Sequence, residues 1–227
     1  VSVLLLVRHG QASFGAADYD ALSETGHEQS RLLGAALARR GITPAAVLRG
    51  GMKRHEQTVA GLLDGAGWQL PPTQVDADWD EFDGDGVLEV LRPEFRDRSV
   101  LASHLAAAEH PGRAFQALFE EATDRWRAGA HEGEYAESFR AFGSRVEAAL
   151  GRAARLPGTV LVVTSGGPLA TVVSRLLAGD DSLWGRLNPV MANSAVTKVV
   201  SGSRGMTCVS FNAHEHLEHE RELLTYR

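Results

Sequence analysis

Two stretches of the chain are apolar at almost every position: Val3-Leu4-Leu5-Leu6-Val7 and the segment Thr159 to Thr164, which contains Leu161-Val162-Val163. They are too short for helices of ordinary length and carry no alternating polar residue, the pattern of central parallel strands covered on both faces. Each run stops abruptly. The first ends at Arg8-His9-Gly10 and the second at Ser165-Gly166-Gly167-Pro168. Polar residues that follow such strands lie at the carboxyl edge of the sheet, where open α/β sheets bind their ligands.

Between and after these strands the period changes to that of helices. Thr25 and Glu28 have capping-box spacing, and Leu32, Leu33, Ala36 and Leu37 recur at helical intervals until Arg39-Arg40-Gly41, which predicts a helix over 26–40. Ala46 to Arg49 reads as a short strand, followed by Gly50-Gly51 and a helix through Leu62 and Leu63; Thr73 to Ala77 reads as a third strand. From Glu81 to about Glu134 the chain is mainly helical and polar, with breaks at Pro93 and Pro111-Gly112. A long amphipathic helix spans Glu137 to Leu156. After Ser165 another helix carries Leu169, Val172, Val173, Leu176 and Leu177, with Pro168 suited to its first position, and Ala195 to Val200 and Met206 to Phe211 form a final pair of strands. The expected architecture is a single domain, 1–227, with a three-layer α/β/α arrangement, a mainly parallel sheet, and a helical cap insertion over the active-site end at about 82–134.

Composition narrows the partners. The 227 residues are 44% hydrophobic and 23% charged, ordinary values for a folded globular chain. With 23 basic against 29 acidic residues the formal charge is −6, which argues against a broad nucleic-acid surface and requires any anion to be bound locally. No apolar run is long enough to span a bilayer, and the N-terminal run lacks the flanks of a signal peptide. The single cysteine, Cys208, lies in the apolar stretch Met206 to Phe211 and reads as a buried structural thiol. One unpaired cysteine suits a reducing, cytoplasmic setting.

The residues with chemistry stand where the strands end. A neutral imidazole can attack phosphorus, and an arginine beside it offers a fixed positive fork for phosphoryl oxygens. Arg8-His9-Gly10 after the first strand joins these two groups, and Arg54, in Gly50-Gly51-Met52-Lys53-Arg54-His55-Glu56-Gln57-Thr58, adds a second guanidinium at a helix start. Lys53 and His55 read as surface residues. With this placement the chain resembles the histidine phosphatase (phosphoglycerate mutase-like) superfamily. The resemblance covers nearly the whole chain, through Leu22-Ser23-Glu24-Thr25-Gly26 and Asn193-Ser194, and the insertion matches least. It implies that His9 takes the phosphoryl group, that Arg8 and Arg54 bind phosphate, and that Glu81 protonates the leaving oxygen and then activates water. Asp80 or Asp83 could fill that last role.

Two segments depart from the family pattern. The usual serine-proline before Arg54 is Gly50-Gly51, and where a second histidine followed by glycine is called for, the chain has Ser165-Gly166-Gly167. Ser165 can donate a hydrogen bond without charge, and the amides of Gly166 and Gly167 at a helix start can face an anion. The form with serine-glycine-glycine resembles one branch of the superfamily.

The implied activity is hydrolysis of a small phosphomonoester through a phosphohistidine on His9, with no metal or organic cofactor. Phosphoglycerate mutase-type transfer and a phosphate-binding module with weakened turnover are the alternatives; Gln11-Ala12-Ser13-Phe14 departs from the mutase pattern. An EF-hand among Asp76, Asp78 and Asp80 fails because Glu81 stands where glycine is needed and Val87 where glutamate is needed. His214, His216 and His219 lack metal-ligand spacing and read as a solvated tail.

Overall fold

The computed structural model describes residues 1–13 and 20–226. Among them a six-stranded sheet has the order β3-β2-β4-β1-β5-β6, formed by β1 (Ser2–Arg8), β2 (Ala46–Arg49), β3 (Gln74–Val75), β4 (Gly158–Thr164), β5 (Val196–Gly202) and β6 (Gly205–Ala213). Neighbours from β3 to β1 pair parallel; β5 is antiparallel to both β1 and β6. The sheet is therefore mixed and mostly parallel, as expected.

The two unbroken apolar runs are the adjacent central strands β1 and β4. Leu5, Val7, Leu161 and Val163 pack on one face with Leu33, Leu37, Val59 and Leu62 from helices α1 (Glu24–Arg39) and α2 (Lys53–Ala66). Leu4, Leu6, Val160 and Val162, which alternate to the opposite face, are fully buried too, as a sheet covered on both sides requires. The helix after β4, α7 (Gly166–Ala178), packs against β1 and β6.

Several boundaries differ from expectation for local reasons. α1 starts earlier than the Thr25 box suggests, because Ser23 is the N-cap, its hydroxyl accepting from the Gly26 amide at 3.1 Å. Pro168 is the third helical residue of α7, not the first. β3 is only two residues long because Asp76, accepting from the Asp78 amide, opens a 3₁₀ turn over Ala77–Trp79. Cys208 is half-buried on the edge strand β6 and not a core thiol.

The chain divides into two compact units, 1–81 with 145–227, and 82–144. The second contains α3 (Gly84–Leu91), α4 (Arg98–Ala106), α5 (Pro111–Arg127) and the start of α6 (Phe139–Ala154). Its polar sequence conceals an aromatic core: the Phe82 ring lies 4.7 Å from Trp126, and Trp126 lies 5.0 Å from Phe139. Among the described residues no helix is long and apolar enough to cross a membrane.

Candidate active site

Parallel pairing brings three strand ends to one level. Arg8 pairs with Thr164, and Arg49 with Val163, so the residues that follow β1, β2 and β4 (His9, Gly50 and Ser165) emerge side by side. The ladder continues one step past each strand: the His9 amide donates to Thr164 O at 2.9 Å and the Gly50 amide to Val163 O at 3.1 Å.

His9 is buried, and its Nδ1 lies 2.7 Å from the Gly10 carbonyl oxygen. A carbonyl only accepts, so Nδ1 carries the proton and Nε2 keeps the lone pair. Burial, then the charges of Arg54 and Arg8 and the neighbouring His55, hold His9 well below the ordinary imidazole range. The ring is therefore neutral at neutral pH, with Nε2 unprotonated. Its own carbonyl is fixed by the Asn193 side-chain amide and the Ser194 amide, each at 3.2 Å. Ser194 reaches it by adopting φ 57°.

The turn after His9 is locked by close backbone approach. A Cβ on Gly10 would stand 2.3 Å from the Gly26 carbonyl oxygen, and one on Gly26 would stand 2.2 Å from the Gln11 carbonyl oxygen. The Gly10 amide donates to Thr58 Oγ1 at 3.0 Å, and Thr58 in turn donates to the Arg54 carbonyl at 2.8 Å. Thr58 thus ties the first motif to α2.

Both arginines act electrostatically on His9, and each is anchored differently. Arg8 Nη1 donates to the carbonyls of Met191 and Tyr226. Tyr226 belongs to a C-terminal segment held by Gln29, whose amide donates to Leu223 O at 2.7 Å and to Thr225 Oγ1 at 2.8 Å. Arg54 Nη1 pairs with Asp20 at 2.6 Å, while its buried Nε has no hydrogen-bond partner among the described residues.

Of the three carboxyls, Asp83 caps α3, accepting from the Gly86 amide at 2.9 Å. Asp80 accepts from the Gly51 amide at 2.5 Å and also from Met52; partial burial raises its pKa, against the pull of these amides. Glu81 accepts from the Gly167 amide at 3.1 Å, at the start of α7. Glu81 is thus the carboxyl beside Ser165 and Gly166.

His55 is not on the surface. Its imidazole is completely buried, with Nε2 2.8 Å from Ser165 Oγ and a ring centroid 5.7 Å from that of His9. The signal was present in the sequence: His55, Val59 and Leu62 follow the i, i+4, i+7 spacing of the buried face of α2. Lys53 is exposed, as expected. The histidine-rich stretch is only in part a solvated tail: His219 is exposed, whereas His216 is partly buried, its Nε2 2.8 Å from Ser194 Oγ.

A family model for the histidine phosphatase superfamily, branch 1, matches residues 4–214. The chain belongs to this superfamily. No curated protein matches it significantly. Among solved structures it is similar to a phosphoglycerate mutase from Bacillus anthracis (21% identity, 95% of each chain, TM-score 0.66). It is also similar to a putative α-ribazole-5′-phosphate phosphatase from Escherichia coli (20% identity, 93% of this chain and 97% of the other, TM-score 0.63). A mycobacterial glucosyl-3-phosphoglycerate phosphatase is a third (20% identity, 93% and 98%, TM-score 0.60). Identities at this level establish the shared fold. For a histidine phosphatase, phosphatase or mutase activity is the range of chemistry to be considered.

Proposed function

We propose that the protein hydrolyses a small phosphomonoester in two steps through a phosphohistidine on His9. His9 Nε2 attacks phosphorus in line while the bond to the leaving oxygen breaks, and Glu81 delivers its proton to that oxygen. Water then attacks the phosphohistidine, giving up a proton to the Glu81 carboxylate and releasing phosphate and the free imidazole. Arg8, Arg54, Ser165 and the Gly166 amide bind the phosphoryl oxygens, with the ion pair of Arg54 to Asp20 sharing or yielding its guanidinium. No metal or organic cofactor enters these steps; positioning and electrostatic stabilisation supply the rate.

The observation that carries this reading is the state of His9: a buried neutral ring whose Nδ1–H is held by a carbonyl and whose Nε2 lone pair lies in the field of two arginines. Hydrolysis is preferred over mutase-type transfer because Gln11, Ala12 and Ser13 do not follow the mutase pattern; Phe14 lies outside the described residues.

The test is a panel of phosphomonoesters incubated without added metal, with released phosphate measured. Wild type should release phosphate to water, His9→Ala should release none, and an acid-labile phosphoryl label should be trapped on wild type alone. Ser165→Ala should lose less activity than His9→Ala. Release by His9→Ala at the wild-type rate would overturn the mechanism, and transfer to a second substrate without net release would favour the mutase.

A further inference from the structure

Ser165 occupies the N-cap position of α7 with extended backbone, yet its hydroxyl caps no amide of that helix. It is turned instead to His55 Nε2, and both side chains are sealed from solvent. A buried imidazole in the field of two arginines is an expensive way to fill space that an apolar side chain would fill better. The surroundings are nevertheless shaped for it. A Cβ at Gly50 would stand 2.3 Å from His55 Nδ1 and 2.5 Å from Asp80 Oδ1, so the ring fits only because residue 50 has no side chain. Gly50-Gly51 replaces the expected serine-proline just where the imidazole needs that room.

The two ring nitrogens have different surroundings. Nδ1 has no hydrogen-bond partner among the described residues, its nearest carboxylate oxygen being Asp80 Oδ1 at 3.7 Å, and Asp80 is already engaged by the amides of Gly51 and Met52. The ring's hydrogen-bonding contact is at Nε2, and a hydrogen carried there is the one that Ser165 Oγ can accept. Burial and the charges of Arg54 and Arg49 keep the ring neutral, with one proton to donate.

Resting on the phosphoryl-transfer reading above, we propose that His55 is a positioning residue for the phosphoryl group. Its Nε2–H donates to Ser165 Oγ, which leaves the serine hydroxyl proton free to donate to a phosphoryl oxygen beside His9. The imidazole that position 165 lacks is thereby supplied from α2 and acts through the serine. Ser165 without His55 could spend its proton on another acceptor; with His55 as its donor, its proton is directed to the anion.

The test uses the full chain and inorganic phosphate as ligand, with affinity read by calorimetry so that it does not depend on turnover. Ser165→Ala and His55→Phe should each weaken binding about 10- to 100-fold, the range for a hydrogen bond to a charged group. The double variant should bind no more weakly than Ser165→Ala alone, because both remove one interaction. His55→Gln, whose side-chain amide can still donate, should stay within about threefold of wild type. Equal losses from His55→Phe in the wild-type and Ser165→Ala backgrounds would overturn the proposal. If His55→Phe fails to fold, an unchanged phosphate affinity in Ser165→Ala would overturn it equally. Wild type that binds phosphate but releases none from any ester would overturn the hydrolase reading alone, whereas failure to bind phosphate at all would remove both.

Discussion

An alkoxide leaves phosphorus only if it is protonated as the bond breaks, whereas a nitrophenolate departs unaided, and this difference isolates the part proposed for Glu81. Glu81→Gln should slow phosphohistidine formation from an alkyl phosphate about 10²- to 10⁴-fold and from a nitrophenyl ester far less. Single-turnover measurement is needed, because Glu81 also serves the water in the second step. Equal losses for both esters would take the proton donor away from Glu81. At this scale the sequence was readable wherever a buried run ends abruptly: His9 and Ser165 could be placed at the sheet edge because the apolar runs Val3 to Val7 and Val160 to Val163 stop one residue before each. Choosing among Asp80, Glu81 and Asp83 was not possible, since their difference lies in which amides they meet. Asp80 braces the turn after β2, Asp83 caps α3, and Glu81 meets Gly167. The burial of His55 was legible from its spacing with Val59 and Leu62, but its partner Ser165, 110 residues away in the chain, was not.

Elements were legible where one pattern dominated and were displaced where caps competed. The helix predicted over 26–40 forms as Glu24–Arg39, its start moved by Ser23. That hydroxyl accepts from Gly26 and also donates to the Gln11 side chain at 2.8 Å, so it caps α1 and secures the turn behind His9 together. Ser23→Ala should therefore lower stability by about 1 kcal/mol in urea unfolding, the usual worth of an N-cap, and Ser23→Asp should restore most of it. No change in midpoint for Ser23→Ala would mean that the box at Thr25 caps the helix after all. The short β3 shows the converse: the apolar signal through Thr73 to Ala77 was weak, and the Asp76 turn ends the strand after Val75. The insertion read as polar because its buried residues, among them Val87, Leu88, Leu118, Trp126 and Phe142, come singly or in pairs over several helices.

For the molecule as a whole, two buried histidines, His9 and His55, and the partly buried His216 carry a common liability. Burial lowers the pKa of His9, His55 and His216, the last from 6.5 to about 4. An unfolded chain takes up protons at these rings near pH 6.5 while the folded one refuses them, so stability is complete above pH 6.5 and is lost as pH falls below it. For His216, faced by Ser194, Glu215, His214 and His219, the loss between pH 6.5 and about 4 is on the order of 3 kcal/mol. Urea midpoints measured from pH 7.5 to 4.5 should fall below pH 6.5, and His216→Gln should flatten that fall by about one proton's slope, ~1.4 kcal/mol per pH unit. An unaltered slope would exonerate His216. Long-range docking of this kind, including Tyr226 on Arg8, leaves no local trace in a sequence, because only folding makes the partners neighbours. The close approach of Gly10 to the backbone of Gly26, and of Gly26 to that of Gln11, has a different reach, into how such a chain can diverge. Each would collide with main chain, which no neighbouring substitution can make smaller. Neither position can change first and wait for the other, so around the nucleophile the protein is free to explore new side chains but not a new path for its backbone.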